Sequence, residues 1–274
     1  MGANVSITQE GAVVWVTLDH PGKFNAMSRS MWVALRSVFV TLQADASVRC
    51  IVVRGQGGHF CAGGDIAQYP EFRFDAAQLR HFHETQVWGA LQAMLDCDVP
   101  IVAQLEGNCM GAGVEIASCC DLRIASDSAR FGAPIARLGF PMAPREAALV
   151  AGAVGATTAR AMLLAADVFD AAHMQACGFL TRTAPSALTA QSCLDAAQRI
   201  ASLAPQAARL NKQTLRAITG QNTGLALVEY GVLAIENIAI DGDHGADADP
   251  YAYADSAEHR EGIAAFLDKR QPQF

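Results

Sequence analysis

Glu115 is the residue whose position in this sequence best suits proton-transfer chemistry. It follows a glycine-containing segment, Gly107 to Gly113, which comes after the apolar run Val99 to Leu105 and leads into apolar sequence typical of a helix. Amides in the first turn of a helix are unpaired and partially positive, so they would stabilise an oxygen that becomes negative during a reaction. A carboxylate beside such amides can transfer a proton next to a carbonyl group. We expect the helix dipole to help keep Glu115 ionised; a solvated first-turn glutamate without a catalytic role is the alternative.

A second glycine-rich loop has the same character. The apolar run Cys50 to Arg54 predicts a buried strand, and the loop that follows it, Gly55 to Ile66, contains five glycines. Because glycine lacks a Cβ atom, such a loop leaves its backbone N–H groups open to a ligand. The loop matches neither a phosphate-binding loop nor a dinucleotide fingerprint, so by itself it indicates a site only weakly.

Four segments of the sequence resemble the crotonase, or enoyl-CoA hydratase/isomerase, superfamily over nearly the whole chain. They are His20 to Met27, His59 to Ile66, Gly107 to Asp121 continuing through Phe131 to Pro134, and Glu261 to Arg270. The resemblance implies an α/β fold, the crotonase-type spiral of β-β-α units with a C-terminal helical region. It divides the chain into a spiral core that holds an acyl-CoA site, residues 1–200, and a C-terminal helical region for trimerisation and for covering CoA, residues 201–274.

The resemblance also implies which residues act on the thioester. Its oxygen would be held between the backbone amides of Gly64 and Ala112, while Glu115 would serve as the acid/base. Cys61 lies nearby, but a small buried apolar role is favoured over a nucleophile because nothing basic adjoins it in the sequence. The second glutamate that hydratases of the superfamily use falls on Ile135, which can neither activate water nor deliver a proton.

The isoleucine at position 135 leaves several reactions open. Another acid, Glu146 or Glu84, could substitute, although each is more simply explained as an ordinary surface residue. Glu115 could instead do both jobs, or the reaction is not hydration. A single acid would suffice for an enoyl-CoA isomerase, an acyl-CoA hydrolase or a decarboxylase, because all of these pass through a stabilised oxyanion. A non-catalytic CoA-binding homologue is the alternative from another class.

Binding of CoA is assigned by the same resemblance, and CoA is then part of the substrate rather than a cofactor. No metal, nicotinamide or other cofactor is expected. The assigned positions are Lys23, Phe24, Ala26, Ala62, Gly63, Gly64, Asp65, Ile66, Phe266 and Lys269. The resemblance further implies a homotrimer or a dimer of trimers and a role in fatty acid metabolism.

Amino-acid composition and charge disfavour some classes of protein. The 274 residues are 51% hydrophobic and carry a formal charge of −7, which suits a large apolar core and disfavours binding to nucleic acid or to an anionic membrane. The eight cysteines show no paired C-x-x-C spacing, so we expect reduced side chains in a cytoplasmic protein. His81 and His83 with Glu84 might suggest a metal site, but a polar helix face is the better interpretation because no second ligand cluster accompanies them.

The elements that must position these residues alternate as stacked β-β-α units would. Predicted strands are Val5 to Ile7, Val13 to Leu18, Cys50 to Arg54, Ile101 to Leu105 and Leu122 to Ala125. Predicted helices are Ser28 to Ala44, Ala76 to Cys97, Val114 to Cys119, Ala147 to Leu164, Ala171 to Cys177, Ser186 to Leu203, Pro205 to Ile218 and Ser256 to Lys269. An acidic loop is predicted at Asp241 to Pro250, and the side chains of Tyr69 to Phe74 and Phe140 to Arg145 are expected to line the acyl pocket.

Overall fold

The structure, a computed structural model, describes residues 2–218 and 257–274. The chain divides into two compact units, Met1–Ala201 and Ser202–Phe274. The acidic loop predicted at Asp241 to Pro250 lies outside the described residues. Among the described residues, no helix is long and apolar enough to cross a lipid bilayer.

The strands of the first unit form two sheets. Their bounds are β1 Asn4–Glu10, β2 Val13–Asp19, β3 Cys50–Gly55, β4 Ile101–Leu105, β5 Asn108–Met110, β6 Leu122–Ser126, β7 Arg130–Gly132, β8 Val168–Asp170 and β9 Arg182–Ala184. Within the described residues, the larger sheet has the order β1-β2-β3-β4-β6-β9 and is parallel except for the β1–β2 hairpin. The smaller sheet has the order β5-β7-β8.

The helices lie between these strands and after them along the chain. Their bounds are α1 Arg29–Ala44, α2 Ala76–His81, α3 Trp88–Asp96, α4 Ala112–Ser118, α5 Pro144–Val154, α6 Ala156–Leu164, α7 Ala171–Ala176, α8 Thr189–Ala201, α9 Pro205–Ile218 and α10 Ala257–Leu267. A π-helical turn, 82–87, joins α2 to α3, and short 3₁₀ turns occupy 56–58, 66–71, 135–138 and 186–188. The first unit ends with α8, and the second contains α9 and α10.

The larger sheet is buried on both faces, as parallel sheets usually are. One face joins the main core with α1 and α3, and the opposite face packs against Cys193, Ala196 and Ala197 of α8. Helix α1 begins as its sequence predicts, because the side chain of Ser28 accepts a hydrogen bond from the amide of Met31 at 3.2 Å. Its buried residues recur every three or four positions, which is the periodicity that indicates the helix.

The structure confirms the predicted strands and most helices, with local differences. The helix predicted from Ala147 to Leu164 is interrupted at Gly155, whose φ of 79° ends α5 and allows α6 to start in a new direction. The helix predicted from Ala76 to Cys97 contains the π turn. The short strands β5, β7, β8 and β9 were not predicted, because three residues are too few to show an alternating pattern.

Candidate active site

A cavity of about 230 Å³ in the first unit contains the predicted catalytic residues. Its walls come from the loop after β3, the start of α4, the π turn and the segment that leads into α5. The residues that line it include Gly64, Tyr69, Arg73, His83, Ala112, Glu115, Ile135, Phe140 and Glu146. Both segments predicted to line the acyl pocket contribute, the first through Tyr69 and Arg73 and the second through Phe140, Pro141 and Met142.

Strand-like hydrogen bonds hold the two glycine-rich segments together. The amide of Cys61 donates to the carbonyl of Asn108 at 2.9 Å, and the amide of Met110 donates back to Cys61 at 2.8 Å. On the other side, the amide of Met27 donates to the carbonyl of Gly63 at 2.8 Å. Segments that are far apart in the sequence therefore form one rigid wall of the cavity.

The amides of Gly64 and Ala112 both belong to this wall. Within the described residues, neither amide donates a hydrogen bond to another protein group. For Ala112 the reason is its position, since the first amides of a helix have no carbonyl one turn earlier to bind. Two unpaired donors that line one cavity can act together on a single oxygen.

Glycine is required at two points of this wall. Gly111 has φ 47° and ψ −111°, a conformation that side chains with a Cβ rarely adopt, and it turns the chain from β5 into α4. At Gly113 the backbone of α4 passes so close to the loop that a Cβ atom would lie 2.8 Å from the carbonyl oxygen of Cys61. The absence of a side chain at Gly113 thus sets the spacing between the two segments.

Glu115 lies in the first turn of α4, as predicted, and every residue of that helix is buried. The Glu115 side chain lines the cavity, and the residue is only 7% exposed. Burial raises the pKa of the Glu115 carboxyl well above its ordinary value, and the negative charge of Glu146 raises the pKa further. The helix dipole favours the ionised carboxylate, as predicted, but burial and the charge of Glu146 act in the opposite direction.

Glu146 is not an ordinary surface residue. It lies in the first turn of α5, is 3% exposed and lines the cavity together with Glu115. His83 Nδ1 lies 2.9 Å from Glu146 Oε1 and 3.1 Å from Oε2. Glu84, the other candidate for a second acid, is not among the lining residues and pairs with Arg145 at 3.3 Å. The structure thus separates two candidates that the sequence could not.

Comparison with known proteins decides the family. The sequence profile described as enoyl-CoA hydratase/isomerase matches residues 8–274. The chain belongs to the enoyl-CoA hydratase/isomerase family.

Relatives in the enoyl-CoA hydratase/isomerase family resemble this chain along almost its whole length. A 2,3-dehydroadipyl-CoA hydratase of Escherichia coli is 29% identical over 98% of this chain and 97% of its own. A crotonyl-CoA hydratase of Syntrophomonas wolfei is 27% identical, covering 99% of this chain and 97% of its own. The crystal structure of an enoyl-CoA hydratase/carnithine racemase from Magnetospirillum magneticum superposes with a TM-score of 0.85 at 30% identity, covering 98% of this chain and 94% of that one. These similarities confirm the predicted α/β crotonase-type fold.

Ile135, which the resemblance matches to the second glutamate of hydratases, contributes an apolar side chain to the cavity wall. Cys61 agrees with its predicted apolar role, since it is buried and desolvation raises the pKa of its thiol to about 12. A thiol that stays protonated at neutral pH is a poor nucleophile. The groups of the cavity wall that can transfer a proton are therefore the carboxyls of Glu115 and Glu146, the imidazole of His83 and the phenol of Tyr69, whose pKa burial raises to about 12.

The segments to which CoA binding is assigned meet beside the cavity. Lys23 Nζ donates to both carboxylate oxygens of the buried Asp65, at 2.8 and 2.9 Å. Phe24 is 57% exposed, and its ring centroid lies 4.5 Å from that of His59. The amide of Ala62 donates to the carbonyl of Phe24 at 3.0 Å, and Ala26 is buried next to them in the sequence. The exposed ring of Phe24 and the ammonium group of its sequence neighbour Lys23, which Asp65 holds in place, suit a nucleotide.

The remaining assigned positions fall in two places. Ala62, Gly63, Gly64 and Ile66 line the cavity. Lys269 belongs to the second unit, where it is exposed and has φ 54°, and the side chain of Phe266 is not among those described. The role of both C-terminal residues in CoA binding stays a prediction.

Sequence reasoning misses His83 as a residue of the cavity wall, because it places His83 on a polar helix face. It expects Arg73 in the wall, within the segment Tyr69 to Phe74, but not the contact of Arg73 with His83. Arg73 Nη1 lies 3.4 Å from His83 Nε2, and its guanidinium stacks 3.7 Å from the Phe140 ring centroid. The π turn that places His83 here has no sequence signature that periodicity would detect.

Proposed function

We propose that this protein catalyses proton transfer at the carbon next to the thioester of an enoyl-CoA, as a hydratase/isomerase-type enzyme. One observation carries the proposal: the buried carboxyl of Glu115 and the unpaired amides of Gly64 and Ala112 line the same cavity. A proton donor or acceptor beside an anion-stabilising pair of amides is what enolate chemistry needs.

Each group has a defined task in this reaction. The Gly64 and Ala112 amides would donate to the thioester oxygen and stabilise it as negative charge develops there. Glu115 would add a proton to C2, or remove one, while the double bond and the thioester share the charge. The raised pKa of Glu115 suits this role, because the shift favours the protonated carboxyl, which is the form that can donate a proton. The amides need no rearrangement, since the loop hydrogen bonds already fix them.

The cavity and the relatives support an enoyl thioester as substrate. Its walls include the apolar side chains of Trp32, Val87 and Leu138, which suit an acyl chain. Two relatives are named as hydratases of 2,3-dehydroadipyl-CoA and of crotonyl-CoA. The CoA body would bind along Lys23, Phe24 and the loop from Ala62 to Ile66.

A single-acid isomerase is the second candidate, and Ile135 favours it because that side chain brings no acid to the cavity wall. Steady-state assays with crotonyl-CoA and with a 3-enoyl-CoA separate the candidates. Water addition to crotonyl-CoA identifies a hydratase, whereas conversion of the 3-enoyl-CoA alone identifies an isomerase. A protein that binds both thioesters and converts neither would be a non-catalytic CoA-binding homologue, and the proposal would be wrong.

The same proposal covers the oligomeric state, the location and the binding partners of the enzyme. We expect a cytoplasmic homotrimer or dimer of trimers that binds acyl-CoA and neither nucleic acid nor membranes, consistent with its formal charge of −7. Light scattering coupled to size-exclusion chromatography measures the subunit number. A monomer at micromolar concentration would contradict the oligomeric part of the proposal.

A further inference from the structure

Glu146 gives the cavity a second buried carboxyl group. It comes from α5, whereas Glu115 comes from α4, and both side chains line the same space. The Glu146 charge contributes to the raised pKa of Glu115, which places the two groups within electrostatic reach of each other. A carboxylate that is 3% exposed needs a partner, and the partner here is His83.

Hydrogen-bond chemistry fixes the direction of the chain that leads to Glu146. Arg73 can only donate, so the atom it meets, His83 Nε2, must accept. The proton of the neutral imidazole is then on Nδ1, from which it is donated to Glu146. Glu146 therefore accepts, and the row Arg73, His83, Glu146 ends on a carboxylate with lone pairs available to the cavity.

Local structure holds both His83 and Arg73 in place. His83 lies in the π turn, where the amide of Trp88 donates to the carbonyl of His83, five residues earlier. Turns of this kind add a residue to a helix and often occur at functional sites. Arg73 is held by its stacking on Phe140 and by the ring of Tyr69, 4.7 Å from its guanidinium. Arg73 thus contacts His83 from one segment, and His83 contacts Glu146 from the π turn.

We propose that Glu146 is the second proton-transfer group of this enzyme, the base that activates the water which adds to C3 of a 2-enoyl-CoA, and that His83 positions it. The inference rests on the proposed function and specifies it as hydration. It also explains how the reaction proceeds with isoleucine at position 135, since the second carboxyl enters the cavity from α5 instead.

Water adds to the double bond with one proton taken up by Glu146 and one given by Glu115. Glu146 accepts a proton from water while the water oxygen bonds to C3, and the electrons of the double bond move toward C2 and the thioester oxygen. That oxygen is stabilised by the Gly64 and Ala112 amides, and Glu115 then gives its proton to C2. The product is a 3-hydroxyacyl-CoA, with Glu146 protonated and Glu115 ionised. A proton passing between them through solvent restores the starting state.

The alternative is that the hydrogen bond between His83 and Glu146 only stabilises the fold. Two assays distinguish the roles. Hydration of 2-enoyl-CoAs with acyl chains of four to ten carbons requires both carboxyls under the proposal. Exchange of the C2 protons of butyryl-CoA with D₂O requires only Glu115 and the oxyanion amides, because butyryl-CoA has no double bond to which water can add.

The decisive variant is Glu146→Gln, which keeps the shape of the side chain. We expect hydration to fall by about 100-fold or more, the usual contribution of a general base. Exchange of the C2 protons should stay at the wild-type rate or increase, because removing a negative charge leaves Glu115 ionised more often. His83→Gln should lower hydration by about 10-fold while the KM for the enoyl-CoA stays within a few-fold. Glu84→Gln is the matched control, a carboxyl beside His83 in sequence that pairs with Arg145, and should change neither rate.

Three results would overturn the inference. One is wild-type hydration by the Glu146→Gln variant. Another is an equal loss of hydration and exchange in that variant, which would indicate that Glu146 has only a structural role. The third is a wild-type enzyme that isomerises 3-enoyl-CoA but hydrates none of the 2-enoyl-CoAs. A wild-type protein inactive in all of these assays would instead contradict the proposed function itself.

Discussion

A Cβ atom on Gly113 would lie 2.8 Å from the carbonyl oxygen of Cys61. The two residues belong to the two segments that carry the proposed oxyanion amides, since Gly113 follows Ala112 and Cys61 precedes Gly64 by three positions. The carbonyl of Cys61 cannot turn away freely, because it accepts the amide of Met110. The distance between the two amides is therefore set by the absence of a side chain at Gly113.

Substitution of Gly113 by alanine should separate the two segments and impair catalysis without unfolding the protein. We expect kcat for the enoyl-CoA to fall by about 100-fold or more, as when one oxyanion donor is lost. Gly152→Ala is the control, because Gly152 lies in α5 with nothing within 4 Å of its Cβ position. Steady-state kinetics and circular dichroism of both variants measure the effect. Unchanged kcat in Gly113→Ala would show that the spacing of the segments is not critical.

Removing the carboxyl of Glu115 should abolish turnover and spare binding. In Glu115→Gln, kcat should fall by about 1,000-fold or more, because the group that moves the C2 proton is gone. The affinity for a saturated acyl-CoA, measured by titration calorimetry, should stay within a few-fold of the wild type. Retained turnover would mean that another group is the acid.

The same variant should reveal the cost of burying Glu115. Its folded-state pKa lies above the ordinary value of 4.5, so between these two pKa values the folded state binds more protons than the unfolded state. Wild-type stability then falls as the pH rises from 4.5 through the folded-state pKa. Glu115→Gln lacks this loss. The Tm of the variant minus the Tm of the wild type should therefore increase by up to about 3–5 °C for each pH unit in that window. Calorimetric scans between pH 4.5 and 7.5 that show a constant or shrinking difference would contradict the raised pKa.

Lys23 should contribute to the binding of CoA and not to the chemical step. Its side chain is 42% exposed and bound to Asp65, and the exposed Phe24 follows it in the sequence. In Lys23→Ala we expect KM for the acyl-CoA to rise by about 10-fold with kcat within about three-fold, since binding that is equal in ground and transition states affects KM. The assignment is checked by comparing the rise in KM for the acyl-CoA with the rise in KM for the corresponding pantetheine thioester, which lacks the nucleotide. An equal rise for both thioesters would place the effect at the loop rather than at the nucleotide.

Much of the fold and the centre of the site were predictable from local sequence. Long apolar strands such as β3 and β4 and the capped helix α1 carry clear periodicity. The position of Glu115 after a strand and three glycines predicts its place in the first turn of α4. Such features depend on neighbours a few residues apart, which a sequence displays directly.

The second carboxyl of the cavity depends on contacts that a sequence does not display. Glu146 and His83 are 63 positions apart, and their meeting requires both a π turn and the direction of α5. The upward shift of the Glu115 pKa could not be predicted from the sequence for a related reason. The helix dipole is visible in the sequence, whereas the depth of burial and the charge of Glu146 appear only when the chain is folded.

The central claim is that the amides of Gly64 and Ala112 hold the thioester oxygen while Glu115 faces C2, and a crystal structure of Glu115→Gln with bound crotonyl-CoA tests it most directly. We predict the thioester oxygen within about 3 Å of both amide nitrogens. The side chain of residue 115 should lie beside C2. A thioester carbonyl bound away from both amides would contradict the account.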